Sequence, residues 1–401
     1  MALDQDEDRV GKVDENGLPL VYDGKAIQAY WAAEGGALKE RWGEFVRLSV
    51  PFLTRVVALG IRGGAGELEA NGASLARDAR KIMEKLGPTY IKAGQMMSVR
   101  PDVLPQVALD ELAILQDSVK PFDTTIAIET IESELGRPLG AVFSEISEQP
   151  VAAASLAQVY KAKLVDSGEW VAVKVQRPAI LELVSKDLYV LRRAAEVYQG
   201  LVERFAPQQR TDYVGLLNEW AVGFYSELDF VNEANNQQRL KSLLAEEGKE
   251  GVYIPEVYRE HCTRRLLVSE WVDGVKLSEC EPDEIRELIA VGQESFLTQL
   301  LSVGFFHSDP HPGNILRMDD QSRGRIALLD FGLMARIRQE DMDTFVSSIV
   351  HLANKDYAAL VDDFIALGIL PEDCDRAKVE PLMDKALSPY VKVPSLTWPR
   401  L

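Results

Sequence analysis

Hydrophobic residues keep a helical period along most of this chain and abandon it decisively in one short stretch. Residues 151–164 (VAAASLAQVYKAKL) and 170–176 (WVAVKVQ) alternate apolar and polar side chains, the period of a half-buried strand. A turn at Asp166–Gly168 separates them, so the two runs read as a β-hairpin. Upstream, Phe45, Leu48, Phe52, Val56 and Leu59 recur at steps of three or four. They form one helix face, which Gly63, Gly64 and Gly66 are expected to end. A mostly helical pattern covers 74–148 and closes on SEISEQP; another covers 180–246. Short strand candidates follow at 252–258 (VYIPEVY) and 265–272 (RLLVSEWV), then a helix over 283–303. Residues 305–317 read as a loop, 325–332 (RIALLDFG) as a strand running into a turn, and the remainder as helix. Helices, a small antiparallel sheet, then helices again make an α+β chain.

Composition removes several classes of function. With 401 residues, 46% of them hydrophobic, the chain has room for one large or two ordinary domains. A formal charge of −19 is the wrong sign for nucleic-acid backbones, so no nucleic-acid partner is expected. Ser49 to Ile61 is too short to span a bilayer and carries Arg55; Leu288 to Phe306 is broken by Gln293 and Glu294. The acidic start (Asp4, Asp6, Glu7, Asp8) has the wrong sign for a signal or transit peptide. Cys262, Cys280 and Cys374 are odd in number and far apart, which points to a reducing compartment rather than to a disulfide framework or a zinc ribbon. The helix over Phe45 to Leu59 reads first as a packing helix. A second reading is an interfacial helix with Arg41, Arg47 and Arg55 beside lipid headgroups.

Three short segments carry chemistry. Val171-Ala172-Val173-Lys174 puts a lysine near the end of a strand, His307-Ser308-Asp309-Pro310-His311-Pro312-Gly313-Asn314 is a loop, and Asp330-Phe331-Gly332 follows an apolar strand. In chain order they match the strand lysine, catalytic loop and DFG of protein kinases. Mg²⁺ takes hard oxygen ligands, which Asn314 and Asp330 supply. Asp309 would orient the attacking hydroxyl and accept its proton, and Lys174 would hold the α- and β-phosphates. The lysine also needs a helix carboxylate. Glu227 and Glu233 both qualify; six residues apart they do not share a helix face, and the spacing leaves both open.

Where kinases place glycines over the phosphates, this chain has Ala152-Ala153-Ala154-Ser155. Their side chains restrict the backbone, so altered nucleotide preference and poor phosphoryl transfer are expected. Lys92 and Gln95 are three residues apart and share a helix face. Gly94 between them allows close packing at a helix-propensity cost of about 1 kcal/mol. Met96 and Met97 read as core. His307 and His311 do not make an HExxH-type zinc site, because Pro310 and Pro312 forbid its helix. Neither a Walker-type phosphate loop nor a G-x-S-x-G elbow occurs.

With these segments in place, the chain resembles the UbiB/aarF-domain, or ADCK-like, atypical kinases. The resemblance rests on Lys92-Ala93-Gly94-Gln95 with Arg100-Pro101-Asp102, on the Ala152–Ser155 loop, and on VAVKVQRP. It continues through Glu227-Leu228-Asp229, HSDPHPGN and DFG. It implies a bilobal protein-kinase-like fold with an N-terminal helical extension, the KxGQ domain. The expected segments are a flank over 1–75, the extension over 76–150, an N-lobe with a helical insert over 151–273 and a C-lobe over 274–401. It implies ATP or ADP with Mg²⁺, nucleotide contacts from Ala152, Ala153, Ala154, Ser155, Lys174, Glu233, Glu270 and Val272, and Glu233 as partner of Lys174. Lys92 and Gln95 would gate access, with Glu227 and Asp229 contacting their segment.

The family is tied to isoprenoid-quinone metabolism, so prenyl-lipid or quinone-pathway proteins are the implied partners, with peripheral membrane contact. GLPLVYDGKAIQAYW, from Gly17 to Trp31, resembles the photosynthetic branch and implies a chloroplast location at thylakoids or plastoglobules, the alternative being a mitochondrion. Two departures stand out. Ala157 replaces the family's usual glycine before Gln158, and the chain closes on SLTWPRL without the hydrophobic C-terminal segment of some relatives, which leaves peripheral binding as the expected membrane route.

The leading expectation is an ATP- and Mg²⁺-binding atypical kinase or ATPase in prenylquinone-related metabolism. A small-molecule kinase similar to choline or aminoglycoside kinases shares the HxDxHPGN loop but not the KxGQ segment. A nucleotide-gated scaffold for a lipid biosynthetic complex is the third reading.

Overall fold

In a computed structural model of the chain, the described residues are 2–3, 10–101, 104–116, 119–205 and 212–389. The acidic start at Asp4 to Asp8, Asp102 and the closing SLTWPRL lie outside them. The chain divides into two compact units. One is Gln5–Gln238 with Pro255–Val272; the other is Met1–Asp4, Arg239–Ile254 and Asp273–Leu401.

After β1 (Ala2–Leu3) come α1 (Gly24–Ala33) and the 36-residue α2 (Gly35–Ala70). Asp23 starts α1 by accepting the Lys25 and Ala26 N–H groups at 2.9 and 3.0 Å, two of the donors a helix start leaves unpaired. The glycines of α2 bend it rather than end it. Gly63 and Gly64 leave the helical region, Gly64 at φ 60°, and helix resumes to Ala70. Next are α3 (Gly72–Leu86), α4 (Pro88–Met97), α5 (Gln106–Ala113) and α6 (Thr124–Leu135). Pro88 opens α4 at the position where a missing N–H costs nothing.

The sheet of this unit begins earlier than expected, with β2 (Phe143–Ile146) running into the start of SEISEQP. The expected strand over 151–164 is two: β3 (Ala152–Ala153) and β4 (Ala157–Leu164). The Ala154 N–H bonds back to the Ala157 carbonyl at 2.8 Å, which turns the chain between them. Then come β5 (Trp170–Gln176), α7 (Ile180–Phe205), α8 (Tyr213–Ser226), α9 (Phe230–Glu246), β6 (Val252–Tyr253) and β7 (Leu266–Glu270). The antiparallel order is β2-β4-β5-β7, with β3 pairing β4. The inward residues Tyr160, Ala162, Val171, Val173 and Val175 pack with Ala127 and Ile131 of α6, as the two-residue period requires. A second cluster joins Leu18, Ile27 and Trp31 to Val184, Leu188 and Phe224, so the GLPLVYDGKAIQAYW flank is part of the folded body.

The other unit adds β8 (Gly274–Lys276), α10 (Pro282–Thr298), β9 (Phe305–His307), β10 (Ile315–Met318), β11 (Ile326–Leu328) and β12 (Met334–Arg336). α11 (Gln339–Ala353), α12 (Tyr357–Ala366) and α13 (Arg376–Leu387) close it. Its sheets run β6-β11-β10-β8 and β1-β12-β9. The stretch 305–317 is therefore not all loop, since it holds β9 and most of β10. Leu240 and Leu244, from the second part of α9, pack with Phe305, Leu328, Phe331 and Met334. That packing places 239–254 in this unit, whereas the sequence reading set the whole of 151–273 together.

Of the three arginines considered for headgroup contact, Arg41 serves the fold instead. Its Nε and Nη2 donate to the two carboxylate oxygens of Asp187 on α7, at 2.5 and 2.9 Å, and Nη2 also donates to the Leu86 carbonyl at the end of α3. Burial works against the charge, yet these bonds hold the guanidinium above its ordinary pKa. Arg55 is engaged by Asp78 and by Ser74, and Arg47 is exposed. Among the described residues, no helix is long and apolar enough to cross a membrane.

Candidate functional site

In the first unit the structure brings Lys174 and Glu233 together. Lys174 stands on β5 between Val159 of β4 and Leu267 of β7, so its position is fixed from both sides. Its Nζ donates to both carboxylate oxygens of Glu233 at 2.6 and 2.8 Å and lies 5.0 Å from the Phe230 ring centre. The Glu233 side chain is only 1% exposed, so the pair is held in a medium where opposite charges interact strongly. Glu233 occupies the first turn of α9, where the helix dipole favours a carboxylate. Asp229 caps that helix, its Oδ1 accepting from the Val231 N–H at 3.0 Å and the Asn232 N–H at 3.3 Å.

Glu227 takes the other lysine that the sequence singles out. Lys92 Nζ lies 2.7 Å from Glu227 Oε2, with both side chains largely shielded from water. Spacing alone left Glu227 and Glu233 undivided; the geometry gives each its own lysine. Gln95, one turn along α4, donates from Nε2 to the Leu115 carbonyl at 2.9 Å and meets the Ser155 hydroxyl at 3.5 Å. The KxGQ segment thus touches the alanine-rich turn directly. Gly94 sits where a Cβ would overlap Leu115 and come within 2.8 Å of the Met83 sulfur. Met96 accepts a hydrogen bond from Trp220 Nε1 at 2.8 Å.

Ala152 and Ala153 pair with Val159 and Gln158 in ordinary extended backbone, and the Ser155–Leu156 turn is buried. The described non-glycine residues with positive φ are Ala179 and Lys355, so no residue of this turn needs a glycine conformation. Ala157 is also resolved as a packing residue. It clusters with Phe230, Ala234 and Leu267, so its methyl is turned into the core. Glu270 ends β7 and accepts the Glu256 N–H at 3.2 Å; Val272 is buried two residues on.

The second unit holds the loop and the DFG segment. Asn314 Nδ2 lies 3.4 Å from Asp330 Oδ2, and Asp330 Oδ1 accepts the Gly332 N–H at 3.0 Å. Phe331 is fully buried against Leu240 and Leu244. His307 fixes Asp309: its Nδ1 accepts the Asp309 N–H at 3.1 Å, which leaves the ring proton on Nε2 to donate to the Asp330 carbonyl at 2.6 Å. His311 accepts the Gly313 N–H at 3.1 Å and caps the short turn ending at Asn314.

Asp330 and Asn314 offer hard oxygens and suit Mg²⁺, which retains several waters and uses few protein ligands. Among the described residues, no three His, Cys, Asp or Glu side chains gather as a metal cage.

Two residues stand out beyond those assigned roles from the sequence. Arg177 donates from Nε and Nη2 to the Ala154 carbonyl at 3.1 and 3.0 Å and from Nη2 to the Lys120 carbonyl at 2.6 Å, clamping the alanine turn. Its place three residues after Lys174, on the same strand exit, was the available signal. His307 heads the loop motif, and its position two residues before Asp309 is the signal for the loop-setting role.

Residues 114–364 match the ABC1 atypical kinase-like domain. The chain belongs to this family. An aarF domain-containing protein kinase of Arabidopsis thaliana, described as chloroplastic, is 44% identical over 304 residues, covering 76% of this chain and 42% of that protein. The Arabidopsis chloroplastic protein Activity of BC1 Complex Kinase 3 is 41% identical over 330 residues, covering 81% of this chain and 45% of the relative. The chain thus spans under half the length of these ABC1 relatives. Among solved structures, Rv3197 of Mycobacterium tuberculosis, in its complex with erythromycin, shares the fold with a TM-score of 0.51 at 24% identity, covering 76% of this chain and 80% of that one. The mixed helix-and-sheet, kinase-like architecture expected from the sequence is the ABC1 fold.

Proposed function

We propose that this chain binds Mg²⁺ with ATP and transfers the γ-phosphoryl group to water or to an acceptor hydroxyl. The bidentate Lys174–Glu233 pair carries the reading. A lysine held this firmly on a strand presents a fixed cation to the α- and β-phosphates, and this ion pair is one that kinases require in place. The bound metal would supply charge neutralisation on the phosphates, with Asn314 and Asp330 as its protein ligands. Asp309, set by His307, accepts the proton of the attacking oxygen. As the new oxygen–phosphorus bond forms, the bond to the β-phosphate oxygen breaks and ADP leaves.

Lys92 and Gln95 gate the alanine-rich turn, with Glu227 holding the lysine. Contact of Gln95 with Ser155 supports that reading. The chloroplastic relatives support a plastid location, and the resemblance to UbiB-type kinases supports prenyl-lipid metabolism as the setting. The test is nucleotide binding and hydrolysis with and without a prenylphenol-like lipid, on the wild type beside Asp330→Asn and Lys92→Ala. Loss of Mg²⁺-dependent binding in Asp330→Asn, with a changed turnover in Lys92→Ala, is expected. Unchanged Mg²⁺–nucleotide affinity in Asp330→Asn removes that residue as a metal ligand.

A further inference from the structure

α2 has two apolar faces, and the fold uses one. Phe45 stacks on Tyr90 of α4 with ring centres 6.0 Å apart, and Leu48, Phe52, Val56 and Leu59 share that partly buried side. On another side Val50, Leu53, Val57 and Ile61 are 47%, 53%, 59% and 81% exposed. Steps of three, four and four put these four on one stripe about 17 Å long. Singly exposed aliphatics are ordinary; a row of four along one helix is not. Trp42 and Val46 extend the same stripe toward the start of α2, where Trp42 enters a groove of about 580 Å³ lined also by Trp31, Leu38 and Tyr189.

The charge around the stripe names its occupant. The whole chain carries 63 acidic and 44 basic residues, yet from Phe45 to Gly66 there is no acid and there are three arginines. Arg55 is taken by Asp78, but Arg47 is exposed beside the stripe, and the groove is lined by Lys39 and Arg193 with one acid, Glu196. Local exclusion of acids from a strongly acidic protein, around the aliphatic row Val50 to Ile61, fits a negatively charged lipid surface.

We propose that the outward face of α2 docks this protein on an anionic lipid bilayer, with Val50, Leu53, Val57 and Ile61 entering the headgroup–acyl boundary and Arg47 and Lys39 meeting lipid phosphates. The inference goes beyond the nucleotide reading and does not depend on it.

The full chain is sedimented with vesicles of phosphatidylcholine alone and with an equal mixture of phosphatidylcholine and phosphatidylglycerol. Binding to the mixed vesicles, weakened by salt, is expected. Leu53→Glu/Val57→Glu should lower it at least about tenfold, and Arg47→Ala about fivefold. Both variants change exposed positions, so circular dichroism and Mg²⁺–nucleotide affinity should match the wild type, which separates lost docking from lost folding. Equal binding to both vesicle types overturns the proposal, as do absence of binding and full binding by the double variant. A concentration-dependent dimer in light scattering that the double variant abolishes, without vesicle binding, overturns it in favour of a second copy of the chain.

Discussion

Arg177 grips the backbone carbonyl of Ala154 with two nitrogens, at 3.1 and 3.0 Å, and so sets the alanine-rich turn from the strand that carries Lys174. Kinases shape this region with glycine, whose freedom lets it wrap phosphate; here a cationic side chain does the shaping.

Arg177→Ala removes charge-assisted bonds to two carbonyls that are partly accessible to water. A stability loss of about 1 kcal/mol is expected, well below the cost of emptying a buried site. Nucleotide affinity should fall more than stability suggests, because the turn is freed. Urea unfolding beside a nucleotide titration checks it, and unchanged affinity would contradict the clamp.

Lys174→Met takes the bidentate partner from a carboxylate that is 1% exposed. A destabilisation of about 3 kcal/mol is expected, and Lys174→Met/Glu233→Met should recover much of it, because an apolar pair no longer carries a desolvated charge. Chemical denaturation of both variants gives the comparison. A double variant no more stable than the single one would show that other contacts of Glu233 dominate.

Gly94→Ala tests how tightly α4 packs. The added methyl gains about 1 kcal/mol of helix propensity but meets Leu115 and Met83, and overpacking costs about 1–3 kcal/mol. A net loss of about 1 kcal/mol is expected from the unfolding midpoint. A more stable variant would mean that the two side chains move aside freely.

His307→Phe removes the acceptor for the Asp309 N–H and the donor to the Asp330 carbonyl while keeping a ring of similar size. Turnover should fall at least about tenfold with KM for nucleotide nearly unchanged, since His307 acts by setting Asp309. A rise in KM with kcat intact would assign it a binding role instead.

The period change at 151–176 was enough to place the hairpin, because inward positions of β4 and β5 alternate without interruption. The turn at Ala154–Ala157 was not visible: alanine carries no turn signal and a lone serine only a weak one, and the fold comes from the Arg177 clamp and burial of Leu156. The strands β9 and β10 were hidden for a related reason. Three- and four-residue strands set among prolines and glycines are too short for a period to show, and they are held by pairing with β12, β11 and β8. Glu227 and Glu233 were both legible as candidates, but which lysine each meets depends on α4, which is distant in sequence from both. Arg41 shows the limit from the other side. On a helix exposed over much of its length an arginine reads as a surface charge, and only the approach of Asp187 makes it interior.

That Arg41–Asp187 contact has a consequence for how the extension opens. One guanidinium ties α2 to α7 and to the last carbonyl of α3, one residue before the glycine that precedes α4. Peeling α2 away from α7 would strand a buried carboxylate, which costs about 3–5 kcal/mol, and would also break the bond to the end of α3. Fraying of α2 alone is therefore disfavoured, and amide protons near Arg41, Leu86 and Asp187 should exchange with solvent at a common, slow rate. The helices around them would let go of one another in a single event.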